Sequence, residues 1–241
     1  MIPKIIHYCW FGKSAMPDLA LECVHSWKQH LPDYELQLWN EDNFDVNSTV
    51  FTKEAYEAGK YAFVTDVVRL YALKKHGGIY LDTDVEVVKN LDSFLSLPAF
   101  AGFEDHKNIS TALMASEKNG KWVEELLKYY NNRHFILPNG KPDTKPNVAI
   151  VSQYMLTKGF VQNNQYQKIN GMVVFFPKDY FCAKSLITGE LAVTENTYTI
   201  HHFAASWITP YEKFRKRIKH LLGKAGLYRI ARFLYDKIKK I

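Results

Sequence analysis

The sequence predicts an α/β domain with a mixed, mostly parallel sheet. Strand-like apolar runs alternate with helical patterns in the first half of the chain and cluster in the second half. The chain has 241 residues, 47% of them hydrophobic, which is enough for one large domain with a sizeable core. Twelve glycines, nine prolines and 23% charged residues are ordinary globular values, so disordered, collagenous and low-complexity classes are excluded.

Each element is predicted from the spacing of its apolar residues. Apolar β-rich runs or strict alternation indicate strands, and apolar residues three or four apart indicate helices. We expect the first two strands to be parallel, because a helix lies between them and such crossovers are right-handed. Gly77 and Gly78 are expected to end the second helix in a left-handed conformation. In chain order the predictions are strand Lys4–Trp10, helix Pro17–His30, strand Tyr34–Trp39, helix 61–76, strands Ile79–Asp82, Ala99–Phe103 and Ser110–Met114, helix Lys121–Tyr130, and strands Met172–Phe176 and Tyr198–Phe203.

The cysteines and the start of the chain predict a cytoplasmic protein. Cys9, Cys23 and Cys182 form no CxxC pair and are odd in number, which argues against a disulfide framework or a structural zinc site. Residues 1–4 lead straight into a strand-like run, so no signal peptide is expected. No run approaches the roughly 18 to 20 apolar residues of a membrane span.

The chain is predicted to consist of a domain over residues 1–208 and a basic helical tail over 209–241. From Tyr211 onward there are eleven Lys/Arg and two acidic residues, whereas the rest has 20 basic and 23 acidic ones. Because the positive charge belongs to the tail, no nucleic-acid partner is predicted. In the tail, apolar residues recur at helical spacing and are bordered by lysines and arginines. A helix of this kind can lie on the anionic inner face of a membrane, and the alternative is that it docks on the domain itself.

Two aspartates, Asp82 and Asp84, lie at the end of the predicted strand Ile79–Asp82. Alternate residues of an extended segment face the same way, so Asp82 and Asp84 can converge on one ion. Carboxylate oxygens suit Mg²⁺ or Mn²⁺ shared with a diphosphate. An Asp-x-Asp pair is weak on its own, because two solvated turn acids give the same pattern.

A second charged pair lies on the helix before this strand. Asp66 and Arg69 are three residues apart and share one helix face, while their neighbours over 61–71 are almost all apolar. Ion pairs at this spacing are usually exposed to solvent and contribute little to the free energy of folding. On a helix buried nearly all round, however, the charges need partners or a ligand, such as sugar hydroxyls and a phosphate.

Four blocks of sequence then occur in a familiar order: Ile2–Gly12, Ala62–Arg69, Gly77–Asp84 and His201–Trp207. With them the chain resembles the glycosyltransferases of family 32, which carry a sugar-binding region with an Asp-x-Asp motif. That family includes yeast-type initiating mannosyltransferases and bacterial capsular polysaccharide enzymes, and the clostridial toxin glucosyltransferases are more distant relatives. The resemblance runs from residue 2 to about residue 208.

The resemblance implies a GT-A fold, a UDP- or GDP-hexose donor, a saccharide or lipid-linked acceptor, Mn²⁺ or Mg²⁺, and retention of anomeric configuration. Catalysis would depend on Asp66, Arg69, Asp82 and Asp84. The resemblance implies that Trp10 stacks on the nucleobase with Cys9 beside it, and that Asp66 and Arg69 contact the donor sugar, with Thr65 and Tyr80 in the same pocket. It implies that Asp82 contacts the ribose or the metal and that Asp84 binds the metal directly. Ser206 and Trp207 would close over the diphosphate.

The family places a metal or diphosphate ligand a few residues before its terminal Ser-Trp. His201 and His202 both fit that position, and the sequence does not choose between them. Two departures stand out: Ala205 replaces a common glycine, and the block around Thr111 lacks an expected asparagine. The segment 137–160 matches nothing in the pattern and is expected to carry acceptor specificity.

Two other functions fit parts of the sequence. A haloacid-dehalogenase-type phosphatase has a hydrophobic-Asp-x-Asp pattern on a strand, as in the segment Leu81–Val87, but on its first strand and with a late acidic pair that this chain lacks. A catalytically inactive sugar-binding or assembly module is the other alternative. The intact acidic residues and Arg69 argue against it.

Overall fold

The computed structural model describes residues 1–169 and 171–204. Its strands are β1 (Ile5–Cys9), β2 (Glu35–Trp39), β3 (Gly78–Leu81), β4 (Val85–Val87), β5 (Ala99–Phe103), β6 (Ile109–Ser116), β7 (Gln167–Ile169), β8 (Val173–Phe176) and β9 (Thr199–His201). Its helices are α1 (Asp18–His30), α2 (Val50–Glu57), α3 (Tyr61–His76), α4 (Lys121–Leu127), α5 (Asn147–Leu156) and α6 (Lys178–Phe181), with 3₁₀ turns at Asp92–Phe94 and Lys128–Tyr130.

The predicted α/β class with a mixed sheet is confirmed. The larger sheet has the order β2-β1-β3-β6-β5-β8-β7, and β4 and β9 form a separate two-stranded sheet. The pairs β1–β2, β1–β3 and β5–β8 are parallel, whereas β3–β6, β5–β6 and β7–β8 are antiparallel. From these directions β1, β3, β5 and β8 all end at the same edge of the sheet. In α/β proteins, ligands bind at such a carboxyl edge.

Two glycines bring the chain from α3 directly into the middle of the sheet. Gly77 and Gly78 have φ values of 71° and 109°, which side-chain-bearing residues rarely adopt. A Cβ on Gly78 would lie 2.6 Å from the Ile5 carbonyl oxygen of the neighbouring strand. The predicted left-handed end of this helix is therefore confirmed, and it is what lets β3 start beside β1.

His7 links this turn to the sheet. The side chain is buried, its Nε2 lies 2.8 Å from the Gly77 carbonyl, and Trp39 donates an indole hydrogen bond of 3.1 Å to its Nδ1. With Nδ1 as acceptor, Nε2 must be the donor, so the ring is neutral. Burial lowers the pKa of His7 to about 4, and this outweighs the bond to Gly77.

The core lies on both faces of the larger sheet. One buried cluster joins the sheet to α2, α3, α4 and α5, and includes Trp122, Phe135 and Phe175. The other joins it to α1, β4 and α6, and includes Trp27 and Phe181. Helices therefore cover both faces of the larger sheet.

Several elements differ from the sequence-based expectations. The elements α2, β4, α5, β7 and α6 were not predicted. The strands β4 and β7 have only three residues each and α6 has four, while α5 follows a segment rich in proline and glycine that conceals its start. The last strand was predicted, but it pairs with β4 instead of joining the larger sheet. The predicted tail over 209–241 lies outside the described residues, so the boundary at 208 stays a prediction. No helix within the described ranges is long and apolar enough to cross a membrane.

Candidate active site

The two aspartates of the Asp-x-Asp pair lie where β3 turns into β4. The Asp82 backbone N–H donates to the Ala112 carbonyl, and the Val85 N–H donates back to the Asp82 carbonyl, so the chain reverses sharply between the strands. The side chains of Asp82 and Asp84 remain 28% and 18% exposed. Both carboxylates are therefore accessible at the carboxyl edge of the sheet, as expected.

The pairing of β4 with β9 brings a histidine to these carboxylates. Val85 is opposite His201 in the antiparallel register, and His201 Nε2 lies 3.4 Å from Asp84 Oδ1. One ligand atom from each of Asp82, Asp84 and His201 lies within 4.8 Å of the others. Burial favours the neutral form of the His201 imidazole and by itself would lower its pKa. The interactions with Asp84 and Cys182 outweigh burial and raise the pKa of His201 to about 10.

His202 lies elsewhere. Its Nε2 is 2.8 Å from Glu86 Oε2, and its backbone N–H donates to the Asp84 carbonyl. Adjacent residues of an extended segment face opposite ways, so only one of the two histidines can face the aspartates. The structure places His201 there and pairs His202 with Glu86.

The donor set of this cluster fits a divalent cation. Two carboxylates and one imidazole are ligands for Mn²⁺, and the carboxylates alone are suitable for Mg²⁺. His201 Nδ1 is buried without a hydrogen-bond partner, while Nε2 faces the carboxylates. We call Asp82, Asp84 and His201 the acid–histidine cluster.

The Asp66–Arg69 pair lies next to this cluster, on α3. Arg69 Nη2 is 3.0 Å from Asp66 Oδ1 and 3.5 Å from Asp82 Oδ1, and Nη1 donates to the Thr111 carbonyl at 2.5 Å. Both side chains are buried, as expected. Burial raises the pKa of Asp66 to about 7, although Arg69 opposes the shift. The guanidinium thus connects the helix, the Asp-x-Asp pair and β6.

Tyr80 supports the same arrangement from β3. Its hydroxyl donates to Asp82 Oδ1 at 2.8 Å, and the Arg69 guanidinium lies 4.6 Å from its ring centroid. Cys9 is buried against these two residues, and burial raises the pKa of its thiol. Tyr80 therefore orients Asp82, while Cys9 acts on the site through packing.

The remaining predicted residues occupy the rim or lie beyond the described chain. Trp10 is half-buried at the end of β1, and its indole donates to the Ser14 carbonyl at 2.6 Å. The Thr65 hydroxyl donates to the Ala62 carbonyl, and the Thr65 carbonyl accepts from Arg69 Nε. Ser206 and Trp207 lie outside the described residues.

Two residues near the site were not predicted. Glu104 directly follows β5, at the same edge as Asp82, and burial raises its pKa to about 7 against the opposing charge of His201. Its position after a predicted strand is the signal that could have identified it. Asn147, at the start of α5, lies near Asp66, and no local pattern marks it.

The mixed sheet, the Asp-x-Asp pair at its carboxyl edge and the buried Asp66–Arg69 pair agree with what the sequence resemblance implies for a glycosyltransferase domain of the GT-A type. Residues 17–101 match the family described as glycosyltransferase sugar-binding region containing DXD motif. The match covers about a third of the chain, and over that segment it confirms the resemblance inferred from the sequence.

The chain is also similar to two yeast proteins. It is 32% identical over 142 residues to inositol phosphoceramide mannosyltransferase 3 of Schizosaccharomyces pombe, covering 56% of this chain and 40% of that protein. It is 28% identical over 143 residues to a mannosyl phosphorylinositol ceramide synthase of Saccharomyces cerevisiae, covering 56% and 37%. The chain therefore spans about two fifths of the length of these relatives. A solved structure called PaToxG Glycosyltransferase has a TM-score of 0.49 and 19% identity, covering 65% of this chain and 68% of that one.

Proposed function

We propose that this protein is a metal-dependent, retaining glycosyltransferase that moves a hexose from a nucleoside diphosphate sugar to a saccharide or lipid-linked acceptor. The observation that supports this most directly is the acid–histidine cluster next to the buried Asp66–Arg69 pair. One group of residues suits a metal-bound diphosphate, and the other offers a carboxylate to sugar hydroxyls. The two halves of a nucleotide sugar would therefore find complementary groups side by side.

Asp82, Asp84 and His201 are the residues that would hold the cation. A bound divalent ion supplies Lewis-acid stabilisation of the diphosphate that leaves. The protein contributes a fixed arrangement: Tyr80 and Arg69 hold Asp82 in place before substrate binds. Groups oriented in advance stabilise developing charge without a reorganisation cost.

Asp66 is proposed to bind the donor sugar, with Arg69 setting its orientation. A carboxylate accepts hydrogen bonds from two neighbouring hydroxyls, and Asp66 Oδ1 is already held by Arg69 at 3.0 Å. Because this carboxylate is engaged by a guanidinium, it is a weak nucleophile. We therefore favour departure and attack on the same face of a short-lived ion pair as the route to retention.

The acceptor is proposed to be a glycan or a lipid-linked sugar used in surface polysaccharide synthesis, such as a capsule. The names of the yeast relatives refer to mannose and to inositol phosphoceramide. Mannose is therefore the first hexose to test, and a lipid-linked sugar is the first class of acceptor to test. The proposed place of action is the cytoplasmic face of the membrane, with the tail over 209–241 as the contact.

The test is a thermal-shift panel of UDP- and GDP-hexoses, each with and without Mn²⁺, followed by measurement of nucleoside diphosphate release. We expect one donor to raise the unfolding temperature only when Mn²⁺ is present, and turnover with that donor. Binding without any hydrolysis or transfer would instead support the inactive sugar-binding module. The phosphatase alternative is not retained, because Asp82 follows the third strand and not the first.

A further inference from the structure

His201 faces the acid–histidine cluster with one ring nitrogen and the protein interior with the other. Its Nε2 lies 3.4 Å from Asp84 Oδ1. Its Nδ1 is buried, and no oxygen or nitrogen atom of the described residues bonds to it. A neutral imidazole carries one N–H hydrogen, so Nε2 can bind a metal ion only while Nδ1 keeps that hydrogen. The surroundings of Nδ1 therefore decide whether the ring is ready to act as a ligand.

Cys182 is the residue that meets this inner side of the ring. Its side chain is completely buried at the end of α6, and its thiol interacts with His201. Because Nε2 is directed at Asp84, Nδ1 is the nitrogen left for the sulfur. The sulfur is also 4.0 Å from the Lys184 carbonyl oxygen, which is the acceptor for its own S–H. The sulfur lone pairs are therefore available to the Nδ1 hydrogen.

The contact between Cys182 and His201 follows from the packing of α6 on β9. The Thr199 hydroxyl donates to the Phe181 carbonyl at 2.8 Å, which joins the strand to the last residue of the helix. Thr199 and His201 are two residues apart on β9, so their side chains share one face of the strand. The residue that follows Phe181 therefore comes to lie beside His201.

Phe203 holds the imidazole from another direction. The centroids of the two rings are 3.9 Å apart with an interplanar angle of 37°, and His201 is only 8% exposed. A contact of this kind limits movement of the ring but does not choose between its two nitrogens. In metal sites that choice is made by the hydrogen-bond partner of the nitrogen that does not bind the metal. At His201 the group in that place is the Cys182 thiol.

We propose that Cys182 is a positioning residue for the metal site: its sulfur accepts the Nδ1 hydrogen of His201 and so keeps Nε2 available to the cation. The inference rests on the proposed function, because it assumes that the acid–histidine cluster binds Mn²⁺. Cys182 contacts the histidine and not the aspartates of the cluster, so its effect on the metal passes through His201 alone.

The experiment measures the Mn²⁺ affinity of the full chain and of its Cys182 variants. Electron paramagnetic resonance of the free ion follows titrations with Mn²⁺ alone and with Mn²⁺ plus GDP or UDP. Cys182→Ala and Cys182→Val both remove the acceptor, and valine keeps most of the buried volume. We expect each to weaken Mn²⁺ binding about tenfold, as for loss of such a partner from a metal-binding histidine. Cys182→Ser should retain most of the affinity, because a hydroxyl oxygen accepts the same hydrogen.

Two comparisons separate this positioning role from general packing. In a chain that already carries His201→Ala, the further change Cys182→Ala should leave the remaining Mn²⁺ affinity unchanged. Cys23→Ala removes a buried thiol from α1 and should bind Mn²⁺ as the wild type does, whatever its effect on stability.

Three results would overturn the proposal: wild-type affinity in both Cys182→Ala and Cys182→Val, an equal loss in all three Cys182 variants, or a further loss in the His201→Ala chain. Each of these leaves the proposed function standing if the wild type binds Mn²⁺. A wild-type chain that binds no Mn²⁺, with or without nucleotide, would overturn the metal dependence of the proposed function and this inference with it.

Discussion

Arg69 lies 3.5 Å from Asp82 while it holds Asp66 at 3.0 Å, so one buried guanidinium connects the helix of the sugar-binding pair to the Asp-x-Asp turn. The Thr111 carbonyl and the Tyr80 ring complete its surroundings. These contacts come from α3, β3 and β6, three elements that also contribute to the buried core. The residues around Arg69 are therefore expected to differ in how much each contributes to stability and how much to activity.

Arg69→Ala should destabilise the protein more than Asp66→Asn. Removing the arginine leaves two acidic groups without their partner, and breaking a buried ion pair costs about 3–5 kcal/mol. Asp66→Asn leaves Arg69 with Asp82 and the Thr111 carbonyl, so its cost should be smaller. Urea unfolding monitored by circular dichroism measures both. Lys128→Ala, which removes an exposed ion pair, is the control and should cost less than about 1 kcal/mol.

Asp84→Ala should abolish Mn²⁺-dependent transfer while the fold stays intact. The side chain is partly exposed and belongs to the acid–histidine cluster, so its loss removes a proposed metal ligand without opening the core. Asp82→Ala should also reduce activity, though less. Nucleoside diphosphate release and a thermal melt are the measurements, with exposed Asp33→Ala as the control. Full turnover by Asp84→Ala would rule out its assignment as a metal ligand.

His201→Ala and His202→Ala should behave differently. His201 faces the aspartates, so its loss should weaken Mn²⁺ binding and remove activity, and it should also cost stability because the buried ring pairs with Asp84. His202 faces Glu86, so its loss should leave activity and lower the free energy of unfolding by about 1 kcal/mol or less. Mn²⁺ titration and urea unfolding compare the two variants. Equal mild effects would mean that neither histidine binds the metal.

The contribution of His7 to stability should decrease as pH falls from about 6.5 towards about 4. In the folded state its pKa is about 4, whereas the unfolded chain binds a proton near the ordinary value of about 6.5. At this residue the unfolded state therefore gains its proton first, and the contribution of His7 to folding falls by about 3 kcal/mol over this window. His7→Gln should be less stable than the wild type at pH 7, and the difference in stability between the two should shrink as pH falls to about 4. Exposed His106→Gln should keep the wild-type slope, and an unchanged slope in His7→Gln would contradict the argument.

The full chain should sediment with anionic liposomes in a salt-sensitive way, whereas residues 1–209 should not. The basic residues from Tyr211 onward are each expected to contribute about 1 kcal/mol near an anionic surface. The shorter chain should still hydrolyse the donor sugar. If the full chain ignores liposomes at low salt, or if the shorter chain unfolds, the tail belongs to the core or to a dimer.

Local signals in the sequence were sufficient for much of the architecture. The helix over 61–76 was predicted with its observed bounds, because its apolar spacing and its terminal glycines act within a few residues. The charged pair on this helix and the Asp-x-Asp pair at the following turn could be identified in the same way. Their closeness also follows from short chain connections, since α3 leads directly into β3.

Contacts between distant segments were decided only by the tertiary structure. Which of His201 and His202 faces the aspartates depends on the register of β9 against β4. The strand β4 is short and has no distinct sequence pattern. The positions of Glu104 and Asn147 depend on strand order and on the packing of α5 against β6. The sequence by itself determined which residue types occur near the ends of strands and helices, because turn geometry and apolar periodicity are local. Only the folded chain decided which of them meet, because long-range pairing depends on the combined burial of many side chains.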